Sequence, residues 1–454
     1  MFCNGSTLSS SPSISARVPE RLVILSDELA QRRESGYDVG GLEERINGAL
    51  ADHTEEELWQ LLELLEDAPR RPQWPYDEPS GLEEIRESLP KSPQLPASSL
   101  GEEDLRDRVR AAWLGRCAGC NLGKPIEGWT REDIRRYLEL AGEYPIRDYV
   151  PRLEPMPEGF EMHPSWRDAI RGNVRFMARD DDIDYTILGL HIIETYGLGF
   201  GPEDVAEQWM SHMPFLATYT AARAAYRNLV YGLRPPDTAG YRNPYREWIG
   251  AQIRADIWGY ISPGDPARAA SLAFRDASLS HTENGIYGEM WASALIATCF
   301  VARDMRTALE AALALVPPRS RLSEALRHVI SLYDLGTEWE AARHELEKSY
   351  GHYSWVHTIN NAAVVAAALL WGEGDYTRTI GLAVQGGWDT DCNGATAGSA
   401  FGAMHGTEAL PGHWVRPLND LVRSMVTGFD GSRLSDLAER TLQFTLRSSS
   451  LLLP

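Results

Sequence analysis

Nowhere in the 454-residue chain do about 18 apolar residues run together, so no transmembrane helix is expected. Cysteine is scarce. Cys3, Cys117, Cys120, Cys299 and Cys392 form an odd, scattered set, which suits a reducing cytoplasm better than a disulfide-stapled domain. The opening Met1–Ser15 stretch has neither a basic flank nor an apolar centre, so it is not expected to act as a secretory signal. Basic charge is in deficit, with 44 Lys and Arg against 65 Asp and Glu. The resulting net charge of −21 argues against nucleic acid or an anionic membrane as the main partner. Period-two alternation is nearly missing, and no fixed unit of about 20–50 residues repeats.

Helical periodicity is abundant. Residues 1–18 are expected to be disordered, and 19–100 to form a helical N-terminal extension with a Pro-rich linker. That extension has helical patterns near Pro19–Arg33 and Thr54–Glu66. The second opens on a Thr54-x-x-Glu57 capping box and carries Trp59, Leu62 and Leu65 as a stripe. Seven prolines between Pro69 and Pro96 predict a linker or an extended wrap. From residue 101 to 454 the pattern predicts one all-α domain. Its helices fall at Pro202–His212, Thr218–Tyr231, Pro266–Leu279, Tyr287–Val301, Met305–Val316, Leu322–Tyr333, Trp339–Tyr350 and Ile359–Trp371. A short one at Asp375–Val384 and a terminal one at Ser432–Leu446 follow. Cys117 and Cys120 form a C-x-x-C with no second Cys or His pair nearby, and within a helical run they read as small packing residues.

The chemistry concentrates in Asp180-Asp181-Asp182-Ile183-Asp184, which precedes an apolar helical run. Adjacent carboxylates repel unless they face water or share a cation, and a buried helix start favours the cation. A second acidic pair lies in Gly386-Gly387-Trp388-Asp389-Thr390-Asp391-Cys392, ahead of a helix with glycine at 394, 398, 402 and 406. Each helical glycine costs about 1 kcal/mol relative to alanine, so this bare face is expected to lie against another helix. Asp180, Asp181 and Asp182 with Asp389 and Asp391 make five carboxylates, oxygen enough for two divalent ions, with Mg²⁺, Mn²⁺ or Ca²⁺ preferred over zinc.

Other motifs compete for these residues. An EF-hand reading of Asp180, Asp182 and Asp184 fails because Tyr185 and His191 replace the turn glycine and the closing glutamate. The Asp-rich motif of terpene synthases fits Asp180-Asp181-x-x-Asp184, but Arg423 and Thr427 spoil its second site after Asn419-Asp420. A haloacid-dehalogenase reading of Asp389-x-Asp391 lacks the preceding strand.

Taken together, these segments resemble the ADP-ribosylglycohydrolase family (the dinitrogenase-reductase-activating glycohydrolase type) over roughly residues 104–410. The resemblance rests on Gly115, on Gly119-Cys120-Asn121-Leu122-Gly123-Lys124-Pro125-Ile126-Glu127, on the Asp180–Asp182 cluster, on Ser280-His281 and on Gly387-Trp388-Asp389-Thr390-Asp391-Cys392. More weakly, Gly250-Ala251-Gln252-Ile253-Arg254 resembles the family's substrate-contacting loop. The chain departs from the pattern at Cys120, where the family often has aspartate, and at Asp180 and Cys392, where it has hydroxyl residues.

The resemblance implies an all-α orthogonal multi-helix bundle and a metal-dependent glycosidase. It implies Asp180, Asp181, Asp182, Asp389, Asp391 and Cys392 as ligands of two Mg²⁺ ions, with Mn²⁺ as a substitute. Glu127 and Asp182 are the implied catalytic carboxylates, and Asp184 a supporting or helix-capping group. Gly250, Ala251, Gln252, His281 and Trp388 are the implied substrate contacts. The substrate class is an ADP-ribosyl or simpler ribosyl glycoside. A nucleoside-like metabolite whose aglycone meets Trp258, Trp291, Trp355 or Trp388 is the alternative, as is a non-catalytic crystallin-like relative. Neither nucleic acid nor a membrane is implied as partner, and oligomeric state is left open.

Overall fold

A computed structural model describes residues 20–49, 55–90 and 100–450. The stretch expected to be disordered, residues 1–18, and the cap residue Thr54 lie outside the described residues. The chain divides into two compact units. The first comprises residues 1–75 with Arg242–Tyr245, and the second comprises Tyr76–Tyr241 with the chain from Arg246 onward.

In the first unit, helices Glu20–Glu34, Gly40–Ala49 and Glu55–Glu66 enclose a small core of Ile24, Leu25, Leu29, Ile46, Leu58, Leu61, Leu62 and Leu65. The third helix buries the face that the Leu62 and Leu65 spacing anticipates. The Gly40–Ala49 helix, with glycine at 40, 41 and 48, gave no pattern strong enough to expect.

Among its described residues the second unit is all-α apart from one antiparallel strand pair, Leu421–Val422 with Ser432–Arg433, and isolated bridges. That pair shortens the expected terminal helix. Ser432 and Arg433 join the ladder, and the helix begins at Leu434. Elsewhere the predicted helices form within a few residues of their expected bounds. Pro202–His212 and Trp339–Tyr350 match at both ends.

At the centre, helix Thr390–His405 packs against helix Glu102–Gly123. Their glycines face one another. A Cβ on Gly119 would overlap the Gly394 carbonyl oxygen, and one on Gly398 would overlap that of Gly115. This contact explains the four-residue glycine spacing, because only bare backbone lets two helices approach so closely. Helices Glu283–Cys299 and Thr358–Trp371 are buried along their length, matching their lack of a polar face.

Candidate metal centre and cavity

Three chain segments converge on one site. Helix Asp181–Tyr196 begins with the first acidic cluster, and helix Thr390–His405 begins with the second. Two helix N-termini therefore direct their positive ends at carboxylates, an arrangement that stabilises anions. Helix Glu102–Gly123 ends in the 3₁₀ turn Lys124–Ile126, which delivers Lys124 and Glu127 to the same place. The reversal before Asp389 is sharp. Gly387 at φ 76° and Trp388 at φ 65° both adopt left-handed backbone, an unusual state for a tryptophan. Asn361 fixes the result, its Oδ1 accepting from the Asp389 N–H (3.1 Å) and the Asn393 side chain (2.8 Å).

The acidic cluster is not a solvated face. Asp180, Asp182, Asp389 and Asp391 are 3%, 1%, 4% and 4% exposed. Asp180 caps its helix, accepting from the Asp182 N–H (3.1 Å), and its other oxygen takes the Lys124 ammonium. Asp184, expected as a supporting or helix-capping group, does not cap this helix. That residue instead turns away to Arg179 (2.9 Å), Ser424 (2.7 Å) and the Met425 N–H (3.0 Å).

Burial and mutual repulsion set the titration of the cluster. Burial, then Asp180, pushes the Asp181 carboxyl up to about 7. Burial, then Asp180, brings Asp391 to about 6. Burial, then Asp180 and Asp391, pushes Asp182 up further, and burial, then Asp391 and Glu127, does the same for Asp389. Burial would raise Asp180 too, but the Lys124 ammonium holds it below its usual value. Glu127, half-buried and facing Asp391, rises to about 10, chiefly through desolvation.

Among the described residues no hydrogen-bond donor serves Oδ1 of Asp182, Asp389 or Asp391. The nearest cation to the first is Arg116, 3.5 Å away, but its guanidinium is committed to Asp256 and to the carbonyls of Asp182 and Ile253. Orphaned buried oxygens are what a hard cation would satisfy, so the donor set fits Mg²⁺ or Mn²⁺. Two groups of ligand atoms each lie within 4.8 Å of one another, Cys120–Asp180–Asp182–Asp391 and Asp389–Asp391–Cys392. Both thiols are pushed well above their ordinary range, chiefly by burial, which disfavours thiolate ligation.

A cavity of roughly 620 Å³ opens over this cluster. Glu127, Asp180, Asp181, Asp182, Asp389, Asp391, Cys392 and Gly250 all line it, so the structure unites most of the expected site. Four expected contacts are not on its wall. His281 is 1% exposed and stands behind the loop, where a Cβ on Gly250 would come within 3.4 Å of its ring. Ala251 and Gln252 are fully buried in the turn that follows. Trp388 turns away from the cavity to lie under the Arg343 guanidinium at 4.1 Å. Of the four tryptophans considered as wall residues, only Trp355 lines the cavity, and Trp258 and Trp291 are buried.

The wall also holds Lys124, His163, Arg179, Tyr219 and Trp248, none of which was expected there. Cys120, expected as a packing residue, belongs to a ligand group. Its signal lay in the resemblance, since it stands where the family often has a carboxylate. Asn361 announced itself faintly, as one of two adjacent amides in an otherwise apolar helix.

Fold and site together define an all-α protein with a buried carboxylate centre opening into a ligand-sized cavity. The profile of ADP-ribosylglycohydrolase matches residues 101–449, and the chain belongs to that family of glycohydrolases. An uncharacterised protein of Archaeoglobus fulgidus is 26% identical over 324 residues, spanning 70% of this chain and 93% of its own. A solved chain described as an ADP-ribosylglycohydrolase-related protein complex is 20% identical. It covers 76% of this chain and 99% of its own, with a TM-score of 0.46. Among the described residues no helix is long and apolar enough to cross a membrane.

Proposed function

We propose that the protein is a metal-dependent hydrolase that cleaves the glycosidic bond of an ADP-ribosylated, or more simply ribosylated, substrate. The observation that carries this reading is the set of orphaned carboxylate oxygens on Asp182, Asp389 and Asp391, buried beside Glu127 in one cavity. Asp181, Asp182, Asp389 and Asp391 would hold Mg²⁺, with Mn²⁺ as substitute. Two ions would fill both ligand groups if Lys124 withdrew from Asp180. A bound divalent ion supplies Lewis acidity and a grip on vicinal hydroxyls.

The chain's own residues supply the remainder. Glu127 sits at the cavity with a raised proton affinity, which suits a group that gives a proton to a departing glycosidic oxygen or nitrogen. In the return step its carboxylate takes a proton from water. Asp182 and its neighbours stabilise the oxocarbenium-like charge that develops on the ribose. Trp355 and Tyr219, 42% and 44% exposed, offer flat faces to an aglycone or a base.

The test is a hydrolysis panel with and without Mg²⁺ or Mn²⁺, using ADP-ribosyl-arginine, ADP-ribosyl-serine, O-acetyl-ADP-ribose and simple ribosides. Metal-dependent release from any of them is expected. Turnover of simple ribosides alone removes ADP-ribose from the reading, and no turnover of any substrate with either metal rejects it.

A further inference from the structure

We infer that Lys124 occupies one of the two cation positions of the centre, so that the chain binds a single divalent ion and Asp180 is not a ligand. The inference rests on the metal-dependent reading above and narrows it.

The two ligand groups share Asp391 but differ in how far their oxygens are already engaged. In the group that contains Asp180, both oxygens of that carboxylate are already engaged. Oδ1 accepts from the Asp182 N–H, and Oδ2 accepts from the Lys124 ammonium. The third carboxylate of that group, Asp391, is common to both. On the other side Asp389 and Asp391 each present an Oδ1 with no donor among the described residues, while the open Oδ1 of Asp182 belongs to the Asp180 group. The Asp180 position is thus answered by a side-chain cation, and the open Oδ1 of Asp389 lies in the other group.

Lys124 is placed there by the fold. It follows Gly123, whose missing Cβ lets the backbone press against Thr390 and Asp391, and it precedes Pro125 in a 3₁₀ turn. Its side chain is 6% exposed. A divalent ion bonded to Asp180 would sit about 2.1 Å from an oxygen that the ammonium already contacts. Ammonium and ion cannot share that place. Expelling Lys124 would leave a buried charge without its partner, the costly half of a buried ion pair. A lysine therefore does here, with a covalently tethered charge, what a second ion would do by binding.

The experiment counts ions. The full chain is stripped with EDTA, titrated with Mn²⁺, and free Mn²⁺ is read by electron paramagnetic resonance. Lys124→Met and Asp180→Asn variants are titrated alongside, each first checked for a cooperative melt. One Mn²⁺ per chain is expected for the parent and two for Lys124→Met. Asp180→Asn should keep one ion, with affinity within about threefold of the parent, because Asp180 binds the ammonium and not the metal. Two ions in the parent, or a manganese–manganese coupling in its spectrum, overturn the inference while leaving metal dependence intact. One ion in both the parent and Lys124→Met overturns it as well, as does loss of the ion in Asp180→Asn. If Lys124→Met fails to melt cooperatively, the parent count and the Asp180→Asn affinity decide alone. No ion in the parent rejects the metal-dependent reading itself.

Discussion

The Cys392 thiol donates to Oδ2 of Asp182 across 3.3 Å, linking the first turns of the two helices that carry the carboxylates. With its proton held firmly by burial, Cys392 is a donor that orients Asp182. Cys392→Ser keeps a donor and should bind Mn²⁺ within about threefold of the parent. Cys392→Val keeps the bulk and loses the bond, and a tenfold weakening is expected, about 1.4 kcal/mol. Calorimetric titration compares them. Equal affinity in the valine variant would show that the bond orients nothing.

Asp181 and Asp391 test the centre directly. Asn replacements preserve shape and remove charge, so the fold should persist while metal affinity falls. Metal-dependent turnover is expected to drop by at least about 100-fold in each, on the scale of losing a main electrostatic contribution to catalysis. Near-normal rates in both variants would reject the site assignment.

The metal-free protein should lose stability as pH rises through the cluster's titration. Asp181 and Asp391 have folded-state values of about 7 and about 6, above the ordinary carboxyl value of 3.8, chiefly through burial. A raised value means that the folded state binds the extra proton. The stabilisation is therefore complete below pH ~4 and lost between there and about pH 7. In EDTA the parent should melt lower at pH 7.5 than at pH 5.5 by more than Asp181→Asn does, and Mg²⁺ should narrow the gap. If parent and variant show the same pH difference, Asp181 does not store the strain.

Much of this architecture was legible in the sequence because it depends on local pattern. The helices follow from periodicity, and the central crossing follows from glycine at every fourth residue. The carboxylates could be paired across two hundred residues because each cluster needed a cation that the other could help to hold. What escaped was long-range. Nothing near Trp388 signals that Arg343 draws its ring away from the cavity. Nothing near His281 signals that Gly250 screens it. The role of Lys124 needed Asp180 to be seen beside it. Ser432 and Arg433 continue a helical pattern, and only their pairing with Leu421 and Val422 overrides it.

The glycine crossing gives a test of the packing itself. Gly394→Ala places a methyl group on the Gly119 carbonyl, where backbone cannot yield as a flexible side chain would. The helix-propensity gain of about 1 kcal/mol is expected to be outweighed, for a net loss of about 1–3 kcal/mol. Gly48→Ala is the control. It lies in the Gly40–Ala49 helix with nothing within 4 Å of its Cβ position, and the same change there should be neutral or stabilising. Denaturant titration reads both, and a stabilised Gly394→Ala would mean that the helices are further apart than described.

The segment just before the family match also bears on the cavity. Glu78, 5% exposed, accepts from the Arg321 backbone and guanidinium at 2.9 Å and from Asn284 at 2.7 Å. Arg321 in turn holds Glu247 at 2.6 Å. Glu247 accepts from the Thr358 N–H through its backbone carbonyl (3.1 Å), and two residues on the Ile249 N–H donates to Val356 (2.8 Å). Trp248, Ile249 and Val356 are cavity wall. Glu78→Ala strands part of a buried guanidinium's hydrogen bonding, so a loss of about 3–5 kcal/mol is expected. Glu78→Gln retains an acceptor and should lose less. Because the same network braces the wall, Glu78→Ala should also raise KM more than it lowers kcat, with metal affinity unchanged. A variant that is destabilised but kinetically silent would confine Glu78 to holding the fold. A variant within about 0.5 kcal/mol of the parent would show that the network is not strained by its removal and that the segment is dispensable.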